Sequence, residues 1–438
     1  MLWHSSCWLF AFYLTEQCDI PPLTMSLVLG IALGCNAIID AMTGYWLKLN
    51  ANAARIANRY QLLGASIAGG AFVAFAACSL APTEWRFACA LGSLTLFRCT
   101  YPLLDVAQNA LAARIATSGA ERRRVVAQRH VASGVAGICV AFGIAPILIA
   151  GGVDAPAKFL IAAAITAALA WIGAAIQPDL DAVPTTGIDG DEVIEAGSLD
   201  YRQALMLICV AGLAGTAFSK LLPYFLAFSS PSLHEASLLG WVAIGTCSSQ
   251  FVWLAVRARY SENVLGLAAC GLLVGASALL LGLRADPMAL NVAGLLFGVG
   301  GGGVGFLCWA AMTQSAGRSQ PYLKAGLFTA CSKASQAVAI IGLGLCLSGS
   351  DYRRAFLDSS SLLSLLLALA PVGLALAVII ILFRFQPRTS RARISDAAPS
   401  GADCSGGNPA TIRRGLGSGR SRRGGSLASG QRAASMMR

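Results

Sequence analysis

Charged side chains are scarce in this chain. They make up 12% of 438 residues, about half of the ~25% found in soluble domains. That scarcity excludes an ordinary water-soluble fold. Histidine is rarer still: His4, His130 and His234 are the only three, and they lie far apart. The fourteen cysteines form no CxxC pair, and Cys35, Cys78, Cys139, Cys209, Cys270, Cys308 and Cys346 sit singly in apolar runs. Cysteines so placed read as small buried hydrophobes, not as a disulfide framework, a metal centre or a redox pair. No Walker A sequence, HExxH or GxSxG is present, so no metal, cofactor or catalytic residue is expected and the chain does not read as an enzyme. Ten-residue segments of alternating polarity are also lacking, which excludes an outer-membrane barrel. Met1 to Leu14 has no basic leading segment and no small-residue cleavage site, and reads as a short first span, not a cleaved signal peptide.

What is abundant is apolar sequence of helical length. Hydrophobic residues make up 56% of the chain, in runs near the ~20 residues that a membrane span requires. The expectation is an all-α polytopic membrane protein with about twelve transmembrane helices in two six-helix halves, the first helix shortened. Residues 1–176 would form the N-terminal half and 202–384 the C-terminal half. Residues 177–201, rich in Asp, Glu and Pro, read as an acidic linker between them. Residues 385–438, rich in Gly, Ser and Arg without apolar period, read as a disordered basic tail. Lys and Arg concentrate in alternate loops and in the tail, so the positive-inside rule expects both termini and the linker in the cytoplasm, with the protein in the plasma (inner) membrane. The net charge of +11 follows from the same loops and tail. It points to contact with anionic membrane lipid and not to nucleic acid.

Against this background the charges inside spans stand out, because each costs roughly 2.5–3.5 kcal/mol near the bilayer centre on insertion scales. In the fourth span Arg98, Tyr101, Asp105, Gln108 and Asn109 recur at three to four residues, on one helical face. In the second, Asn36, Asp40 and Thr43 do the same; in the eleventh, Thr329, Lys333 and Gln336. At 1.5 Å per residue, Asp40 and Lys333 lie ~10 Å and Asp105 ~14 Å inside the cytoplasmic ends of their spans. Two carboxylates and one ammonium thus share a depth band, where mutual neutralisation lowers the cost of holding them. Lys220, near the outer end of the seventh span, is expected to extend its amine to the interface. The glycine run Gly298–Gly305 contains a formal GxGxxG, but no βαβ unit surrounds it; close helix packing or a hinge explains it.

Four stretches resemble the major facilitator superfamily, specifically the glycoside–pentoside–hexuronide:cation symporters, the melibiose permease group. They are Asp40-Ala-Met-Thr-Gly44 with the basic loop beyond it, Tyr101-Pro-Leu-Leu-Asp105 through Glu121 to Arg129, Leu222-Pro-Tyr-Phe225, and Ala311-Met312 through Gly326 to Lys333. The resemblance implies a cation site at Asp40 and Asp105, with Asn36 at the place of a second acid of helix 2. It implies a charge-balancing role for Lys333 and a substrate contact at Arg129. With Arg98, Tyr101 and Gln108 on the Asp105 stripe, the substrate-binding set is then Arg98, Tyr101, Gln108 and Arg129. The chain departs from the group at Asn36, at Ile39 beside Asp40, and at Gln314 and Ser315, where acids are otherwise clustered.

The function so implied is secondary active transport of a small polar solute, sugar-like by resemblance. The expected partners are that solute and a coupling cation, proton or sodium, with alternating access between the halves. An uncoupled or antiporting metabolite exporter, and a transporter-like receptor without flux, are the alternatives.

Overall fold

A membrane span cannot leave its peptide groups unpaired, so helices satisfy them internally, and helices are the regular secondary structure of the computed structural model among its described residues. These are 1–50, 53–115, 118–176, 199–229, 237–282, 286–316, 320–358 and 360–384, with 53, 54, 112–115 and 237 described by backbone alone. The expected linker core (177–198) and tail (385–438) lie outside them. The chain begins with α1 (Leu2–Trp8) and α2 (Phe10–Phe12), which continue into a π-helical turn, Tyr13–Gln17. There follow α3 (Pro22–Lys48), α4 (Ala53–Ala76), α5 (Thr83–Ile115) and α6 (Gly119–Cys139); a second π-helical turn, Val140–Ile144, joins α6 to α7 (Ala145–Ala150). Then come α8 (Ala155–Ala175), α9 (Tyr201–Phe228), α10 (Ser237–Arg259), α11 (Glu262–Gly282), α12 (Pro287–Ala316), α13 (Pro321–Ser348), the short α14 (Tyr352–Ala355) and α15 (Leu362–Arg384). Among the described residues, eleven helical runs are long and apolar enough to cross a membrane, the α6–α7 run counted once. The α1–α2 run is the shortened first helix, and the protein is a multi-pass integral membrane protein.

Local sequence accounts for the helix boundaries and breaks. Asp200 and Gln203 form a reciprocal capping box at the start of α9, and the Ser118 hydroxyl accepts from the Glu121 amide at the start of α6. Pro22 and Pro321 open α3 and α13, where a missing N–H leaves nothing unsatisfied. The π-helical turn before α7 is a break that the simple apolar run did not foretell. Pro146 cannot donate to the carbonyl four residues back and its ring crowds that turn.

The long helices divide into an exposed and a buried face. On α3, Leu27, Ile31, Ile38 and Met42 are exposed, while Asn36, Asp40, Thr43 and Leu47 are buried. The Glu16 and Tyr352 side chains meet at one end of the helices, here the α14 end. Leu47 and Tyr322 pack together at the opposite, Lys48 end. Between these ends α3 lies along α13, and α6 along α10.

Glycine sets these approaches. A Cβ on Gly44 would stand 2.6 Å from the Tyr322 carbonyl oxygen, and one on Gly326 2.6 Å from that of Asp40. The α3 and α13 backbones therefore touch one turn from Asp40 and two turns from Lys333. Side chains lean toward the start of their own helix, so Lys333 leans back toward this crossing. The glycine run is a packing seam. A Cβ on Gly298 would lie 2.2 Å from the Val242 carbonyl of α10, and one on Gly300 2.8 Å from the Ala269 carbonyl of α11. Nothing lies within 4 Å of a Cβ on Gly301.

Gly298→Val is accordingly expected to lower the melting temperature of the detergent-purified protein, the overpacking costing roughly 1–3 kcal/mol. Gly301→Ala should change stability by no more than about 0.5 kcal/mol. Equal effects of the two substitutions would contradict the seam.

Candidate functional site

Lys333 is the centre of the site. Its Nζ donates to Asp40 Oδ2 at 2.6 Å and to Asp105 Oδ2 at 2.6 Å, so one ammonium on α13 bridges carboxylates from α3 and α5. The second oxygen of each carboxylate is held by its own helix. Asn36 Nδ2 donates to Asp40 Oδ1 at 3.1 Å, and Asn109 Nδ2 to Asp105 Oδ1 at 3.0 Å, each four residues away along one helix face. Asp40 has no exposed side-chain surface, whereas 16% of the Asp105 side chain is exposed. The two acids thus differ in access: Asp105 faces the cavity, and Asp40 sits behind the ammonium.

That cavity has a volume of about 1080 Å³. Arg98, Tyr101, Asp105, Gln108, Arg129 and Lys333 all line it, so the structure brings the residues expected to bind substrate together with the lysine expected to balance charge. Asp40 and Asn36 are buried behind the wall. Aromatic rings build much of the surface. Trp3 stacks on Tyr101 at 5.8 Å between ring centroids. The Lys333 ammonium lies 5.4 Å from the Trp3 ring and 5.5 Å from the Tyr101 ring. The Arg129 guanidinium stacks 3.8 Å over Trp309 of α12. Such rings stabilise cations in a poorly solvated place.

Pro102 lies within α5, one turn from both Arg98 and Asp105. It deprives the Arg98 carbonyl of its helical donor, so the helix is locally irregular where it meets the cavity.

The cavity extends toward the Lys48 end along Leu111, Val125, Gly173 and Ala174. The α14 end is closed. Tyr224 of α9 shares a 2.9 Å hydrogen bond with Thr15 and packs its ring edge-on to Phe12 at 5.3 Å. Outside them Tyr352 donates to Glu16 at 2.7 Å, and Arg353 donates to the other Glu16 oxygen at 3.1 Å. Burial, reinforced by the Glu16 carboxylate, pushes the Tyr352 phenol up to about 12, so it stays a donor at ordinary pH.

The model of the MFS/sugar transport protein family matches residues 2–387. The chain belongs to this family. Its members are transporters of the major facilitator fold and not enzymes. Solved structures with the same fold include the E. coli proton:xylose symporter XylE bound to 6-bromo-6-deoxy-D-glucose (14% identity, 88% of this chain and 93% of that one, TM-score 0.62). Others are the E. coli fucose:proton symporter FucP (12%, 87% and 96%, 0.52) and the human organic anion transporter MFSD10 (14%, 85% and 88%, 0.51). No curated protein sequence matches the chain.

One buried cation of this family member departs from the sequence expectation. Lys220 does not reach the interface; it is 2% exposed, lines the cavity, and donates to the Ser6 carbonyl of α1 at 2.5 Å. Chain counting held the signal, since Lys220 lies eight residues before the end of α9, ~12 Å deep at the helical rise. Trp3 and Trp309 were also missed. An aromatic residue in an apolar run carries no mark of which face it will line.

Breaking the triad from its centre should be more damaging than removing it whole. Lys333→Met leaves the buried Asp40 carboxylate and the partly exposed Asp105 carboxylate uncompensated, at a cost of about 3–5 kcal/mol. It should therefore melt well below the triple variant Lys333→Met, Asp40→Asn, Asp105→Asn in detergent. A single variant that melts at or above the triple one would show that the ammonium compensates nothing.

Proposed function

We propose that the protein is a proton-coupled secondary transporter of a small, sugar-like polar solute, working by alternating access between two six-helix halves, residues 1–176 and 202–384. The observation that carries this reading is the Lys333 ammonium held between Asp40 and Asp105 on the wall of a large cavity. One ammonium and two carboxylates sum to one negative charge. A proton taken up at Asp105, the acid facing the cavity, makes the set neutral. A neutral set costs far less to seal away from water than a charged one, so loading would favour passage through a closed state. The proton also removes one of the two charges holding Lys333 and frees it to shift toward Asp40. Asn36 and Asn109 keep both carboxyl groups oriented in either state.

Several features support the wider reading. The fold is shared with the proton:xylose and fucose:proton symporters. The wall offers polar groups beside aromatic faces, as a sugar needs. The α3–α13 and α6–α10 pairings are the lines along which halves would rock. Basic residues cluster at the Lys48 end, among them Lys48 and Arg124, which supports the reading that this end and both termini lie on the cytoplasmic side of the membrane. In that orientation the cavity extends inward and the α14 end is the closed outer face.

The test is uptake of radiolabelled D-xylose, L-fucose and D-glucuronate into vesicles containing the purified protein, with an imposed inward proton gradient. Accumulation of at least one probe should require the gradient and fall to the protein-free level in Asp105→Asn. Uptake of all probes indifferent to the gradient, or Asp105→Asn accumulating like the parent, would overturn proton coupling.

A further inference from the structure

Four cationic side chains, Arg98, Arg129, Lys220 and Lys333, line the cavity, and Asp105 is its one acidic lining residue among those described. With Asp40 behind Lys333 included, four positive charges face two negative ones, a formal surplus of two. Both ion pairs involving these acids are made by Lys333. The remaining cations have no carboxylate within bonding distance among the described residues.

Two of them form a subsite. Arg98 on α5 is 2% exposed, and its Nε and Nη1 have no hydrogen-bond partner. Its guanidinium lies 5.5 Å from the Trp3 ring and 5.4 Å from the Phe97 ring. These faces soften the cost of burial but supply no acceptor. Lys220 on α9 is equally buried, and of its three donors one is used, on the Ser6 carbonyl. Each lies in the electrostatic field of the other and of Cys7, the residue after Ser6 on α1. An unpaired buried cation costs several kcal/mol. A fold that only had to pack would replace both with apolar residues. Two such cations, each with unused donors and both lining one cavity, offer a receptor for an anion, and a guanidinium fork suits a carboxylate or phosphate.

We propose that the transported solute is an organic anion, a sugar acid or similarly sized polar compound bearing one carboxylate or phosphate, with that group seated between Arg98 and Lys220. This rests on the transporter reading and names the substrate class of the same cavity. The anionic group joins α5 to α9 beside α1 and neutralises charge that no protein group covers. The neutral body of the solute lies against Tyr101, Trp3 and Trp309. Arg129, stacked on Trp309, contributes the remaining positive field.

The experiment is ligand binding to the full chain in nanodiscs, without a gradient, using D-glucuronate, D-glucose 6-phosphate and D-glucose. At least one anion should bind at least tenfold more tightly than glucose. Arg98→Gln and Lys220→Gln should each weaken that anion about tenfold or more, the loss of one charge-assisted hydrogen bond, and weaken glucose by a smaller factor. Ligand-free Arg98→Met should melt no lower than the parent, because a buried charge without a partner is removed. Preference for glucuronate assigns a carboxylate to the subsite, and preference for glucose 6-phosphate a phosphate. Glucose binding as tightly as both anions overturns the proposal while leaving the transporter reading in place, as does anion binding unchanged in both Gln variants. Binding of none of the three overturns the sugar-like substrate reading, and the proposal with it.

Discussion

A single ammonium between two carboxylates, in a medium that tolerates no loose charge, is the constraint on which the site depends. Asp40, Asp105 and Lys333 come from three helices that are distant in sequence. None could occupy its depth alone without a large desolvation cost. Their pairing therefore fixes how α3, α5 and α13 meet. The glycine crossing at Gly44 and Gly326 provides the complementary steric term by letting two backbones touch. Charge and the absence of side chains act on the same helix pair, within two turns of each other.

The asymmetry of the pair matters as much as its existence. Asp40 is sealed and tied to Asn36, while Asp105 is tied to Asn109 and reaches the cavity. In the proposed mechanism a ligand or proton arriving from the cavity would meet Asp105 first, and its effect would pass to Asp40 through Lys333.

Much of this was legible along the chain because the bilayer simplifies the reading. A charge in a twenty-residue apolar run is costly wherever it sits, so Asp40, Asp105 and Lys333 announced themselves. Counting residues from the helix ends put them at one depth, and the structure joins them. Lys220 escaped because a lysine eight residues from its helix end can extend a flexible stem to the interface, and only tertiary packing places the Ser6 carbonyl of α1 where it holds the amine instead. Trp3 and Trp309 escaped because apolar aromatics face lipid, protein or cavity with equal ease, and only tertiary packing decides. The break before Pro146 was present in the sequence, but a run judged by hydropathy alone does not show it. The packing role of Gly298–Gly305 could be read because no dinucleotide-binding context surrounds it.

The glycine seam has a mechanical consequence. At Gly298 and Gly300 the α12 backbone meets the backbones of α10 and α11, and at Gly303 the Trp253 ring of α10, with little flexible side chain between them to act as lubricant. These three helices must travel together as a plank. Sliding is left to surfaces padded by movable groups, such as the ring of Phe142 against Gly240 or the aromatic plug around Tyr224. The chain's stiffness is thus distributed by where it omits side chains, and its compliance by where it retains them.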